Sequence, residues 1–360
     1  MPYGSDAWGS DPWSAGETVS TDYTLIAVGQ DTANNCLVAM FNGTTWAVFP
    51  FPAIVGILRG VYAYNDQNIW VCGGTGVLGT TSALLYFWNG TSWIDYSAST
   101  NAKYFYSIDG YGLTNVWASG LVDAVTAGVW HYTSYWTPTQ VNTGHDLGYP
   151  NAGAQVPLIA VASDGIAYTS CWTTISSNRV DPAWASYYAA VGSQTVSSHA
   201  VASGAVLFCY NAGTGPILKY DGAVTWTVQG TNTHSSISMG AKDWTNYCYY
   251  NLGDGIVYAY NNAVTTALTG AADFSDSNKY IYFENTIWTA GPTLFGGTWA
   301  AVPQLSLYIG GTTWSDSTEY NVGGLGAAAW YDIAPVTIYI PNVGNYVSTA
   351  ASIYKPYRPG

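Results

Sequence analysis

The sequence is short of charge. Of 360 residues only eight are Lys or Arg and 21 are Asp or Glu, giving 8% charged residues and a formal net charge of −13. The bases stand singly, at Arg59, Lys103, Arg179, Lys219, Lys242, Lys279, Lys355 and Arg358. Binding a phosphate backbone takes clustered Lys and Arg that release counterions, so no specific nucleic-acid binding is expected. Disorder pairs high charge with low hydrophobicity, whereas 48% of this chain is apolar and 16% aromatic. Such a chain buries a sizeable core and covers its surface mainly with Ser, Thr, Asn, Gly and Tyr.

Cysteine is sparse as well. Cys36, Cys72, Cys171, Cys209 and Cys248 are odd in number and widely spaced, with no C-x-x-C. That argues against a disulfide framework and a zinc site, and each reads as a small buried hydrophobe. The four histidines (His131, His145, His199 and His234) include no His-x-His pair. No metal or other cofactor is expected. No run approaches the ~18 apolar residues of a membrane span, so no membrane partner is expected either. Met1–Asp6 has neither the basic nor the apolar segment of a secretion signal. Helical periodicity is missing over any window of 11 or more residues, and 40 glycines would penalise helices.

What remains is β-structure. From Asp22 onward short β-branched and aromatic runs alternate with turn signals, as in Tyr23–Val28, Cys36–Phe41 and Trp46–Phe49. Asn42-Gly43, Asn89-Gly90 and Asp221-Gly222 are dipeptides that suit two-residue hairpin turns with positive φ at both central positions. Oxygen-rich Asp31–Asn35 and Asn251–Gly255 lack the EF-hand spacing and read as turns.

These runs repeat. Phe41-Asn42-Gly43-Thr44-Thr45-Trp46 is copied as Trp88-Asn89-Gly90-Thr91-Ser92-Trp93, and more weakly as His131–Trp136, Tyr220–Trp226, Phe295–Trp299 and Gly310–Trp314. Upstream of two copies, Asn65–Gly73 matches Leu113–Gly120. Trp93 follows Trp46 by 47 residues, Trp136 follows by 43 and Trp226 by 90. One unit thus spans about 45 residues, with a decayed copy expected near Cys171-Trp172 or Tyr187-Tyr188. Trp46, Trp93, Trp136 and Trp226 are the structural repeat positions, expected to pack between sheets or on a neighbouring strand.

The pattern resembles β-propeller repeats that read N-D-x-W-x-x-G followed by aromatic-x-G-T-x-W. In one unit Gly73-Gly74, Tyr86 and Trp93 resemble the double glycine, Tyr and Trp of a kelch blade. The resemblance implies an all-β propeller of about six or seven four-stranded blades. Residues 1–20 form an extended N-terminal arm, 21–320 the propeller, and 321–360 a C-terminal strand and tail. Val336–Ile340 is the strand candidate there, closing the ring or contacting a neighbour.

No catalytic residues are expected. A sialidase-type site needs three arginines around a carboxylate, and Ser163–Trp172 is a poor Asp box. Kelch-type copper oxidases need paired Tyr and His ligands, and the nucleophile elbow G-x-S-x-G is missing. Sparse Lys and dense Thr, Ser, Asn and Tyr resemble an outside-the-cell surface, yet no secretion signal opens the chain. A virion assembled in the host cytoplasm reconciles the two. In style the chain is similar to bacteriophage tail proteins such as a nozzle, hub or fibre adaptor, acting in assembly and host attachment. The expected partners are further copies of the chain and other virion proteins, with Trp8 and Trp13 of the arm as anchors. The alternatives are a propeller lectin or receptor binder, with a host-surface glycan as partner, and a degenerate glycan hydrolase.

Overall fold

The computed structural model describes residues 25–42, 46–76, 82–123 and 127–139. From there to residue 336 it describes the strands named below with residues 165, 166 and 336. The arm with Trp8 and Trp13, the Phe295–Trp299 repeat and residues 337–340 lie outside the described residues.

The chain is nearly all β, and its strands pair into four-stranded antiparallel sheets. Three strands open the first sheet: β1 (Leu25–Asp31), β2 (Cys36–Phe41) and β3 (Trp46–Val48). The second holds β4 (Ile57–Asn65), β5 (Asn68–Gly74), β6 (Ala83–Trp88) and β7 (Trp93–Asp95). The third holds β8 (Tyr104–Gly110), β9 (Val116–Leu121), β10 (Ala127–Tyr132) and β11 (Trp136–Thr139), and the fourth β12 (Leu158–Val161), β13 (Ala167–Cys171), β14 (Thr174–Ser177) and β15 (Ala185–Ser186). The fifth consists of β16 (Val196–Ser203), β17 (Val206–Asn211), β18 (Ile217–Tyr220) and β19 (Trp226–Val228). Next come β20 (Met239–Lys242), β21 (Tyr247–Asn251), β22 (Val257–Asn261) and β23 (Val264–Leu268), then β24 (Lys279–Phe283), β25 (Thr286–Gly291), β26 (Gln304–Ile309) and β27 (Trp314–Ser315). The last strand, β28 (Ala327–Pro335), returns to the first sheet and pairs antiparallel with β1, from Leu25 opposite Pro335 to Asp31 opposite Ala327. A single 3-10 turn, Ser97–Ser99, is the only helical element among the described residues.

Each sheet's first strand touches the next sheet's first strand: β28 with β4, β4 with β8, β8 with β12, β12 with β16, β16 with β20, β20 with β24, and β24 with β28. Apart from β28 beside β1, strands consecutive in the chain lie side by side within each sheet.

Side chains alternate between the two faces of a strand, and here both faces are covered. On β5, Ile69 and Val71 pack with Val28, Val38 and Met40 of the first sheet. The intervening Trp70 and Cys72 pack with Phe105, Val116 and Trp130 of the third. On β9, Val116 and Ala118 face back to the second sheet while Trp117 packs with Ile159 and Val161 of the fourth. A strand buried on both sides reads as a near-continuous apolar run, which accounts for the hydrophobic, low-charge sequence.

Polar groups cross between sheets at the same seams. Asp332 of β28 is 5% exposed and accepts from the Val61 backbone N–H at 2.9 Å. Asp109 of β8 accepts from the Val161 N–H at 2.8 Å, and the Tyr62 hydroxyl donates to the Gly112 carbonyl at 3.1 Å. A buried backbone amide left unbonded would cost roughly 1–3 kcal/mol, so each carboxylate fixes the spacing of two first strands.

The Asn89-Gly90 loop differs from the two-residue turn expected of it. Four residues, Asn89–Ser92, separate Trp88 from Trp93, which face each other in the β6–β7 register. Only Gly90 takes positive φ, at 86°. Asn89 contributes through its side chain instead, its Oδ1 accepting from the Thr91 and Ser92 amides at 3.0 and 2.9 Å. Asp31–Asn35 is the β1–β2 turn, held by Asp31 Oδ1 accepting from the Ala33 and Asn35 amides.

Candidate functional site

The repeat tryptophans share one register. Trp46, Trp93, Trp136 and Trp226 each begin the fourth strand of their sheet, opposite Phe41, Trp88, Tyr132 and Tyr220 respectively. Trp314 opens β27 opposite Tyr308 in the same way. Their environments differ. Trp46 and Trp136 are buried, whereas Trp93 is half-buried and donates its Nε1–H to the Pro50 carbonyl at 2.6 Å, 43 residues away. Trp93 also meets Phe49 and Phe51 edge-on, which clips the second sheet to the segment following the first. The side chain of Trp226 lies outside the described residues, as do Trp8 and Trp13.

Two polar clusters stand out against this aromatic background. His131 of β10 stacks flat on Trp117 of β9, with centroids 3.7 Å apart and planes at 6°. Its Nε2 lies 2.9 Å from Asn115 Oδ1, which also accepts from Trp117 Nε1 at 2.7 Å. Asn115 Nδ2 donates onward to the Gly165 carbonyl in the fourth sheet. A neutral ring with the proton on Nε2 satisfies this arrangement. Burial favours the neutral form and pulls the His131 pKa down to about 4.

The unfolded chain therefore takes up a proton near pH 6.5 that the folded chain refuses until about pH 4. Stability is complete above pH 7 and falls as the pH drops through that window, because the unfolded state binds more protons there. With allowance for solvent reaching this half-buried ring, the loss by pH 4.5 is on the order of 1–2 kcal/mol. Urea titrations at pH 7.5 and 4.5 should show it, and His131→Asn should remove most of the difference between the two.

The second cluster surrounds Arg59. The registers of β28 against β1 and of β4 against β5 slip twice, and that of β8 against β9 once. Among the skipped residues are Tyr331, Arg59 and Tyr106, one from each of three neighbouring first strands. A bulge re-aims the side chain of its extra residue, and these three converge. The Arg59 guanidinium carbon sits 4.4 Å over the Tyr331 ring, and its Nε–H donates to the Tyr104 hydroxyl at 3.1 Å. Tyr104 and Tyr106 lie with centroids 4.9 Å apart. Burial on its own would lower the pKa of Arg59, and the tyrosine hydroxyls turn the net shift upward. Burial raises that of Tyr104, with the Arg59 charge opposing. The double glycine makes room for this cluster. A Cβ on Gly73 would run into the Ile57 carbonyl across the bulged pair, and one on Gly74 into the Tyr104 ring.

Arg59 appears in the sequence only as one of eight scattered bases. Its partners come from positions 104, 106 and 331, so no local motif announces it. Among the described residues no group of three or more His, Cys, Asp or Glu is placed to hold a metal. Cys36 and Cys72 are buried, and burial pushes the Cys36 pKa up to about 12.

No protein-family model matches the chain, and no curated protein matches it in sequence. Solved structures do. A streptogramin B lyase structure is similar over 75% of this chain and 91% of its own, with a TM-score of 0.54 and 10% identity. Virginiamycin B lyase from Staphylococcus aureus is similar over 74% and 92%, with a TM-score of 0.52 and 10% identity. The structure of YCF48 bound to D1 peptide covers 75% and 91%, at 0.50 and 12%. All three are β-propeller-like proteins. At these identities the likeness is one of fold alone, and neither a lyase activity nor a peptide ligand follows from it. These matches show no kelch motif for the unit of Gly73-Gly74, Tyr86 and Trp93.

Proposed function

We propose that the chain is a closed seven-bladed β-propeller serving as a non-enzymatic assembly and binding module of a bacteriophage particle. The observation that carries the fold half is the sequence of first-strand contacts from β28 round to β24 and back to β28, with β28 sharing a sheet with β1. A ring of blades closed by its own last strand leaves only short outer edges, such as Trp46–Val48 and Trp93–Asp95, open to unwanted pairing. Rigid, low-charge and rich in Tyr and Trp, such a ring suits repeated packing against identical copies and other virion proteins, for which cyclic symmetry is the default. Host cytoplasmic assembly followed by incorporation in the virion is the localisation that goes with this reading.

The test is the protein content of purified particles. Mass spectrometry of gradient-purified phage from the host that makes this chain should find it in a fixed copy number. If the chain stays wholly in the soluble fraction of the lysate, the reading fails.

The arm supplies a second handle on the same proposal. Ser5-Asp6-Ala7-Trp8 and Ser10-Asp11-Pro12-Trp13 place two large anchors five residues apart, each able to bury about 150–250 Å². Deleting residues 1–15 should leave the thermal transition of the propeller unchanged and reduce incorporation into particles by ten-fold or more, on the order of 1.4 kcal/mol. Equal incorporation of the truncated chain would remove Trp8 and Trp13 from the account.

A further inference from the structure

We propose that Arg59, with Tyr331, Tyr104 and Tyr106 around it, is a binding site for a carboxylate group. The site goes beyond the assembly reading and stands without it, since it rests on three bulged first strands and not on a particle.

A guanidinium carries five N–H donors in a fixed plane. Among the described residues one of them is engaged, the Nε–H on Tyr104, and no carboxylate pairs with the charge. The guanidinium also lies over the Tyr331 ring, and attraction to the ring face needs none of the remaining donors to find an acceptor. Arg59 is therefore fixed in orientation by two tyrosines while the fork of its terminal nitrogens stays unspent, and its side chain keeps partial exposure. The two contacts stabilise the seam between the first strands by themselves, and they leave the terminal fork over. A planar anion gains two parallel hydrogen bonds.

The charge selects a carboxylate over a phosphate. One guanidinium matches a single negative charge, and no second base lies beside Arg59 among the described residues, whereas phosphate sites gather several cations or backbone amides. The chain's overall charge of −13 repels free anions at long range. At physiological salt that repulsion is screened beyond about 8 Å, so a contact pair at Arg59 survives where loose counterion attraction does not. The carboxylate can belong to an acidic sugar or to a peptide terminus, and the site chemistry is the same for both.

The chain has three arginines, Arg59, Arg179 and Arg358, which makes the test direct. In the 15N-labelled full-length protein the arginine Nε–H region holds three cross-peaks. Arg179→Lys and Arg358→Lys each remove one of them and identify the Arg59 peak by elimination, even if substituting Arg59 itself prevents folding. Sodium glucuronate and N-acetylalanine are then titrated separately, with sodium chloride at matched ionic strength as baseline. The Arg59 peak should shift saturably in at least one arm at millimolar ligand while the other two follow the salt baseline. A shift in the glucuronate arm alone assigns the site to acidic sugars, in the N-acetylalanine arm alone to peptide carboxylates, and in both to the carboxylate itself. If the Arg59 peak follows only the salt baseline in both arms, the site does not exist.

Discussion

Ending the chain at Gly326, before β28, is expected to abolish cooperative folding. β28 brings Trp330 and Ile333 into the core with no exposed surface, and Ala334 and Val336 nearly so. Full burial of each large apolar side chain is worth roughly 1.5–3 kcal/mol. Its removal would also strip β1 of one hydrogen-bonded neighbour along its whole length and β4 of the Asp332 carboxylate. Against the ~5–15 kcal/mol total of an ordinary domain, that is enough to unfold the first sheet. Since β28 also touches β4 and β24, the loss would pass to both neighbouring sheets. Thermal denaturation followed by tryptophan fluorescence should show a sharp transition for the full chain and none for the truncated one. A synthetic 327–340 peptide added in trans should restore part of the transition. A truncated chain that melts within a few degrees of the full one would show that β28 is dispensable. Asp332→Ala isolates one component, leaving the Val61 amide without its carboxylate at a cost of about 1–3 kcal/mol.

The second large effect is expected at Trp136. Its ring lies 5.2 Å from Trp70 at 88° and 5.4 Å from Tyr132, and it is 5% exposed. Truncation to Ala should cost about 3–5 kcal/mol, because the cavity opens between two sheets whose backbones are already fixed by pairing. Trp70 touches the same rings along with Phe87 and Tyr96, so the Trp70→Ala, Trp136→Ala double variant should lose less than the two single losses combined. Trp93→Ala is the internal contrast. Half-buried and clipped to Pro50, it should cost about 1–2 kcal/mol, chiefly the hydrogen bond and part of the ring burial. Urea midpoints of the variants at constant m-value settle the ranking. Equal losses at Trp136 and Trp93 would mean that register alone, and not the depth of packing, sets their worth.

This ranking marks how far the sequence is legible. The hairpin of the third and fourth strands can be read because both of its ends are aromatic at a fixed offset, Phe41 with Trp46 and Trp88 with Trp93. Where the fourth strand opens on a small or aliphatic residue, as with Ala185 in β15 or Val264 in β23, the signal vanishes although the strand is there. The fourth and sixth sheets are accordingly the units without a clear copy, and the last strand of the fourth lies just before Tyr187-Tyr188. Burial is not legible at all. Trp46, Trp93 and Trp136 look alike in the sequence, yet Trp46 and Trp136 are buried while Trp93 stays half-buried beside Phe49 and Phe51.

The Arg59 cluster is unreadable for a different reason. It depends on three one-residue bulges, and a bulge is a property of two strands in register and not of either strand alone. The sequence carries one trace of it. Gly29, Gly73 and Gly120 fall opposite the slipped positions of β28, β4 and β8. At Gly73 and Gly120 a Cβ would strike first-strand backbone. A glycine late in the second strand of these three units is thus a sign of close backbone approach, and it points to the bulged residue across the pair. His131 was similarly hidden. It is lone in sequence, yet the β9–β10 register sets it directly opposite Trp117.

Cryo-electron microscopy of the particle proposed to carry the chain tests the central claim most directly, because it sees the ring and its setting together. The account predicts symmetric copies of a ring of seven four-stranded sheets with β28 inside the first sheet, each copy packed against other virion proteins. A ring left open between the first and last sheets, or particles complete without any density for this chain, would contradict it.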